Sequence, residues 1–101
     1  MPKLYEYFGL VLFFYANEHE PVHVHGRYQD RESRAVIVIT NGAVVEIRVE
    51  ESPGKRPLKG PQLANFRMLV EHFADDIVEK WADYFVWQRP IHPLVISRRI
   101  K

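Results

Sequence analysis

The sequence contains no cysteine. A disulfide framework, a thiolate metal site and a cysteine nucleophile are therefore excluded. Long hydrophobic runs are also missing: the longest apolar stretch covers only residues 8–16, whereas a membrane-spanning helix needs about 20 residues. Glu6 precedes this stretch and no small-residue cleavage site follows it, so we expect neither a signal peptide nor a membrane partner. These absences predict a cytoplasmic protein.

Net charge is nearly absent as well, at +1, so the whole molecule has no strong attraction for polyanions. The charges are nevertheless sorted along the chain. A Pro/Gly-rich loop over residues 51–61 and a tail over residues 87–101 are basic, and the segment between them is acidic. This arrangement suits local binding of RNA, DNA or an acidic partner, although a solvated loop and a disordered tail remain the alternative. The candidate binding residues are Lys55, Arg56, Lys59, Arg98 and Arg99.

The 101 residues, of which 47% are hydrophobic, can bury the core of a single domain spanning residues 1–101. Apolar, aromatic-rich runs predict two strands over residues 3–8 and 10–15, hinged at Gly9, in the centre of a sheet. A further strand is expected over residues 22–28, followed by a polar turn over residues 29–33.

Asn41-Gly42 joins two runs rich in β-branched residues, 35–40 and 43–50. Such a dipeptide is a strong signal for a hairpin with a type I′ turn, because both turn residues need a positive φ. A two-residue loop also fixes the register. The predicted cross-strand partners are Val38 with Val45 and Val36 with Ile47.

A single long amphipathic helix is predicted to begin at Pro61 and to end before Pro90. Residues 94–96 would add an edge strand to the same sheet or to that of a partner, which would give a homodimer. The predicted fold is therefore α+β: an antiparallel sheet of four to five strands, including the Asn-Gly hairpin, with the helix packed on it. The apolar stripe of the helix comprises Leu63, Phe66, Val70, Phe73, Ile77, Trp81 and Tyr84.

Three of the five histidines fall within seven residues, a concentration that no folding requirement explains. On a strand, alternate side chains share a face, so His23, His25 and Arg27 point the same way. His19 or Glu18, returning from the preceding loop, would complete a site. We therefore expect the functional site at this segment.

Two chemistries fit these residues. Imidazoles bind divalent transition metals, and His19, His23 and His25 are the predicted ligands. Alternatively, His23 or His25 acts as a general acid–base without a metal, while Arg27 stabilises phosphoryl charge. The same face, with its arginine, would equally suit contact with phosphate or nucleic acid. A solvated polar face with no site is the remaining possibility, and the sequence does not choose among these alternatives.

The aromatic run 13–15, followed by residues 17–25, resembles the signature of domain-of-unknown-function family 4160. These small bacterial proteins have the pattern His-x-Pro-Pro-His-x-His, in which Val22 here replaces the second proline while all three histidines stay in register. The resemblance covers most of the chain. It extends to Gly9, residues 35–49, the helix ending near Trp81, and residues 91–94.

The resemblance implies a genetic setting and no activity. Members are often encoded beside another small protein, in an arrangement like a toxin–antitoxin cassette. The first functional hypothesis is therefore recognition of that cognate protein, RNA or DNA by the histidine strand, the basic loop and the tail. The alternative is a small hydrolase, ribonuclease-like or metal-dependent, built on His19, His23 and His25. The sequence leaves open whether the chain is an enzyme.

Overall fold

The computed structural model describes residues 2–19 and 21–100 as an α+β fold, the class predicted from the sequence. Among these residues, six strands form one sheet, and two helices pack on it. No helix in the same ranges is long and apolar enough to cross a membrane. The elements are β1 Lys3–Tyr7, β2 Leu10–Phe13, β3 His23–Tyr28, β4 Arg31–Thr40, β5 Ala43–Glu51, α1 Gly60–His72, α2 Ala74–Trp81, a π-helical turn Ala82–Val86, and β6 Leu94–Ile96.

The strand order is β5-β4-β3-β2-β1-β6, so β2 and β3 lie at the centre of the sheet. Strands β1 to β5 form an antiparallel meander, whereas β6 pairs parallel with β1. The prediction of a wholly antiparallel sheet of four to five strands is wrong in both details. After β5, the helices carry the chain across the sheet to its other edge, where β1 offers a free side. The prediction that residues 94–96 add an edge strand to their own sheet is confirmed.

The β4–β5 hairpin turns at Asn41-Gly42 as predicted, with φ values of 52° and 79°. Its register is different, because the pairing shifts by one residue between Val38 and Ile39. Val38 therefore lies opposite Glu46 rather than Val45, which is 60% exposed. Strand β4 also begins earlier than expected, at Arg31, and only Gln29 and Asp30 form the preceding turn. The observed partners of Val36 and Ile37 are Arg48 and Ile47.

The predicted single helix is divided at Phe73, whose backbone leaves the helical region with φ −106° and ψ 18°. The ring of Phe73 stacks on that of Tyr5 in β1, with 4.5 Å between centroids. The apolar stripe nevertheless packs on the sheet as predicted, with Phe66 and Ile77 fully buried. Gly26 in β3 permits this packing, because a Cβ there would lie 2.4 Å from the Phe66 ring.

Candidate functional site

Strand β3, which carries His23 and His25, also buries side chains on the face of the sheet opposite the helices. His25 pairs with Phe13 on one side and with Arg34 on the other, and paired residues share a face. Phe13 is fully buried yet lies outside the main core, and its ring stacks on His25 at 5.5 Å. The loop after β2 folds back over this face and brings the Tyr15 ring to 4.5 Å from His25. The result is a second, smaller core with polar groups inside it.

A carboxylate from this loop lies between the two strand histidines. Oε2 of Glu18 contacts Nε2 of His25 at 2.8 Å and also contacts Nε2 of His23. The three candidate ligand atoms all lie within 4.8 Å of one another. The other carboxylate oxygen, Oε1, accepts a hydrogen bond of 2.8 Å from the backbone N–H of Tyr15, which turns the side chain inward. The three side chains are only 7–12% exposed.

The protonation of His23 follows from its second contact. Its Nδ1 lies 2.7 Å from the carbonyl oxygen of Pro21, which can only accept a hydrogen bond, so Nδ1 carries the proton. A neutral His23 would then direct the lone pair of Nε2 at the carboxylate of Glu18. Two acceptors facing each other require a positive charge between them, which either a second imidazole proton or a metal cation supplies.

A buried acid faces His25 on its other side. Its Nδ1 lies 3.7 Å from Oε2 of Glu32 and has no hydrogen-bond partner among the described residues. Glu32 is 3% exposed and accepts a hydrogen bond of 2.8 Å from the hydroxyl of Tyr15. Tyr15 therefore fixes both carboxylates around the histidines, Glu18 through its backbone and Glu32 through its side chain.

The local pKa values reflect these contacts. Burial raises the pKa of Glu18, but hydrogen bonds from His23, His25 and the Tyr15 N–H outweigh it and bring this pKa to about 2. The hydrogen bond to Glu18 raises the pKa of His23 above its ordinary value, against the opposing effect of burial. Burial, together with the bond to Glu32, raises the pKa of Tyr15 to about 12. The carboxylate of Glu18 is thus ionised throughout the neutral range.

Two imidazoles and one carboxylate form a donor set that suits zinc, iron and other divalent transition metals. Ligating histidines normally donate their second N–H to a carbonyl or a carboxylate, which fixes the tautomer and the ring. His23 does so to Pro21, and His25 faces Glu32. The residues present therefore fit a metal, and we call Glu18, His23 and His25 the centre.

His19, predicted as the third ligand, is not one of the three residues of the centre; Glu18 supplies the third donor. His19 instead lines a groove of about 420 Å³ beside it. The guanidinium of Arg27 lies 5.1 Å above the Phe13 ring, on the same face as His25, as the strand period predicts. The groove is lined by His19, Pro21, His23, Arg34, Val36, Arg48 and Glu50.

Two of the basic residues singled out in the sequence, Arg56 and Arg99, contact turns at the other end of the sheet. Strand β3 begins at the centre and ends at Tyr28, against which a Cβ on Gly9 would lie at 3.1 Å. Arg56 forms an ion pair of 3.6 Å with Asp30 in the turn after β3. The guanidinium of Arg99 lies 4.1 Å above the ring of Phe8, in the turn that contains Gly9. The five predicted binding residues, Lys55, Arg56, Lys59, Arg98 and Arg99, are all exposed.

Sequence reasoning missed Glu32 and Tyr15. The polar turn predicted over residues 29–33 contains Glu32 and so leaves it out of the predicted site. In the structure β4 begins at Arg31, so that Glu32 pairs with Arg27 on the same face as His25. Extending the predicted strand backwards from Val36, with its period of two residues, would have placed Arg34 and Glu32 on this same face.

One family model matches the chain, over residues 9–82, and it is described as a domain of unknown function, DUF4160. The matched segment includes the loop and strands that form the centre as well as both helices. Neither the curated proteins nor the solved structures contain a match. The match covers well over half of the sequence, and the chain therefore belongs to the DUF4160 family.

Proposed function

We propose that the centre binds a divalent transition metal and that the chain is a metal-dependent hydrolase. One observation supports this most strongly. The Nε2 atoms of His23 and His25 both contact one oxygen of Glu18. On the opposite side of each ring, Nδ1 of His23 donates to the carbonyl of Pro21, and Nδ1 of His25 faces the carboxylate of Glu32. Outer contacts of this kind orient ligating histidines at metal sites, and they support a centre in which Glu18 takes the place of His19 in the set predicted from the sequence.

A set of three protein ligands distinguishes a catalytic from a structural site. Structural zinc sites are closed by four protein ligands, whereas catalytic sites keep a position for water or substrate. A bound cation would supply Lewis acidity and lower the pKa of a coordinated water. His23 contributes to both the centre and the groove, so a substrate in the groove would lie next to this position.

The test is binding of Co²⁺ to protein purified without a histidine tag, followed by the visible absorption of the bound ion. We expect one ion per chain and a higher melting temperature, because a ligand that binds only the folded state stabilises it. Glu18→Gln and His23→Ala should each abolish the spectrum.

His19→Gln separates the two ligand sets. The centre predicts that this variant keeps the cobalt spectrum, whereas the set predicted from the sequence predicts its loss. His72→Gln, at an exposed histidine on α1, is the matched control. Melting curves in a chelator show whether each variant folds. A wild-type protein that binds no cobalt would overturn the proposal.

Recognition of nucleic acid or of a cognate protein is the second candidate function, within the toxin–antitoxin-like cassette that the family resemblance implies. It is favoured by the position of the loop and tail. Arg56 and Arg99 come from segments far apart in sequence, yet both contact turns at the same end of the sheet. Exposed arginines beside the half-exposed ring of Phe8 suit contact with phosphates and bases.

A further inference from the structure

The groove beside the centre crosses three strands, β3, β4 and β5. Their register places the cationic residue Arg48 in the same cross-strand row as His23. His23 of β3 lies opposite Val36 of β4, which in turn lies opposite Arg48 of β5. Neighbouring strands are separated by about 4.8 Å, so the backbones of His23 and Arg48 are roughly 10 Å apart. The long side chain of Arg48 can cover much of this distance. Val36, which is 6% exposed, lies between them as an apolar floor.

Among Arg34, Arg48 and Glu50, the charged residues that line the groove, positive charge exceeds negative charge by one. Arg34 lies in the next row of cross-strand partners, between His25 of β3 and Glu50 of β5. Its Nε donates a hydrogen bond of 3.1 Å to the carboxylate of Glu50. Its terminal nitrogens have no hydrogen bond to any residue that the structure describes, and Arg48 has neither a hydrogen bond nor an ion pair within the same part of the chain. Two guanidinium groups thus face one carboxylate. The excess charge favours an anionic ligand.

An apolar surface continues from this charged part. A second depression of about 320 Å³ shares Pro21, Val36 and Arg48 with the groove. Its remaining lining is mostly aliphatic, and both volumes are typical of sites for small molecules, which range from about 300 to 1,000 Å³. The added lining residues are Val22, Ile37, Val38 and Ile39.

We propose that the groove binds a small phosphate monoester, with the phosphate held by Arg34 and Arg48 and the apolar part against Val36 and its neighbours. Arginine suits this ligand because its planar guanidinium donates two parallel hydrogen bonds to phosphate oxygens. The phosphate would lie beside His23, so the proposal names the substrate class of the metal centre. It rests on the proposed function for the role of the ligand as a substrate, but not for its binding.

The probe is phenyl phosphate, titrated calorimetrically into protein freed of metal by a chelator. Arg48→Gln should weaken binding about tenfold or more, because charge-assisted hydrogen bonds are lost. Arg67→Gln removes another exposed arginine, on α1 and outside the groove, and should leave the affinity unchanged. Arg48 is an exposed residue of an edge strand, so its variant is expected to fold, which circular dichroism checks.

The outcomes separate this proposal from the metal centre. Glu18→Gln should lose cobalt and still bind phenyl phosphate. Binding of phenyl phosphate by a wild-type protein that takes up no cobalt would support the phosphate site and overturn the metal centre. The reverse result, or equal weakening by Arg48→Gln and Arg67→Gln, would overturn the phosphate site alone. Tighter binding of the dinucleotide UpU than of phenyl phosphate would overturn the assignment to a small monoester.

Discussion

At the scale of single residues, Glu18 links the two strand histidines into one group of contacts. Its carboxylate accepts contacts from His23, His25 and the backbone of Tyr15, so three donors converge on one buried group. Without a metal, the same arrangement is an ion pair between Glu18 and a protonated His23. The centre should therefore behave differently with and without a cation.

The metal-free protein should be most stable between about pH 4.5 and 6.5. The pKa of Glu18 is lowered from 4.5 to about 2, so its contribution is present above pH 4.5 and is lost as the pH falls towards 2. The pKa of His23 is raised from 6.5, so its contribution is complete below that pH and is lost as the pH rises through the raised value. Urea unfolding in a chelator at several pH values measures this profile.

The variant Glu18→Gln is the control for this profile, because it removes the partner responsible for the raised pKa of His23. We expect a flatter curve on both sides of the maximum. Added metal should remove the alkaline loss of stability, since coordination requires a deprotonated Nε2. An identical pH profile in the wild type and in Glu18→Gln would contradict the ion pair.

The strand residues of the centre could be predicted from the sequence, but the loop residue could not. His23 and His25 follow from the two-residue period of a strand, and the structure places both on one face with Phe13. His19 and Glu18 were both available in the loop, where no period fixes the direction of a side chain. The choice depends on the hydrogen bond from the Tyr15 N–H, a contact that the sequence pattern does not encode.

At the scale of elements, the break between α1 and α2 is tied to the sheet. Tyr5 of β1 stacks on Phe73 at the break, and its hydroxyl donates a hydrogen bond to the carboxylate of Asp76 in the first turn of α2. Asp76 also forms an ion pair of 3.3 Å with Lys80. Apolar spacing alone continues through Phe73, which is why the sequence predicts a single helix there. The hairpin bulge was missed similarly, because Asn-Gly fixes the turn and not the pairing beyond it.

Tyr5→Phe should lower the free energy of unfolding by about 1–3 kcal/mol, because a buried hydroxyl bonded to a charged acceptor is removed while the ring stack is kept. Asp76→Asn should cost less in the Tyr5→Phe background than in the wild type. Chemical unfolding of the two single variants and the double variant gives the coupling between the residues. Additive effects would show that the contact does not stabilise the junction. Tyr28→Phe, at a partly buried tyrosine of β3, is the matched control.

At the scale of the whole molecule, the centre and the turns that Arg56 and Arg99 contact lie at opposite ends of the sheet. The centre lies where β3 begins, close to the end of α2, because the rings of His23 and Trp81 are 5.3 Å apart. The basic loop and tail contact the turns at the opposite end. The positive charge of the loop and of the tail is evident from the sequence. That both segments reach the same end of the sheet depends on the parallel pairing of β6 with β1, which was not predicted.

We call the end of the sheet that the basic loop and tail contact the basic end. If the basic end recognises nucleic acid, binding should depend on salt and be independent of the metal. For single-stranded RNA, each phosphate contact contributes about −0.7 to the slope of log K against log salt. Replacing both Arg98 and Arg99 by Gln should therefore make the slope less steep by about 1.4 and weaken binding. Fluorescence anisotropy of a labelled single-stranded RNA, from about 50 to 200 mM salt, measures both quantities.

The control for this experiment is Lys3→Gln, which removes an exposed lysine at the start of β1, the end of that strand away from the Phe8 turn, and should leave the RNA slope unchanged. Addition of a chelator should also have no effect, because the centre and the basic end share no residue. If Lys3→Gln reduces the slope as much as a single change in the tail, the RNA follows the general charge of the surface, and specific recognition at the basic end is refuted. Binding that ignores salt would refute it as well, since contacts with phosphates release counterions whatever the RNA sequence.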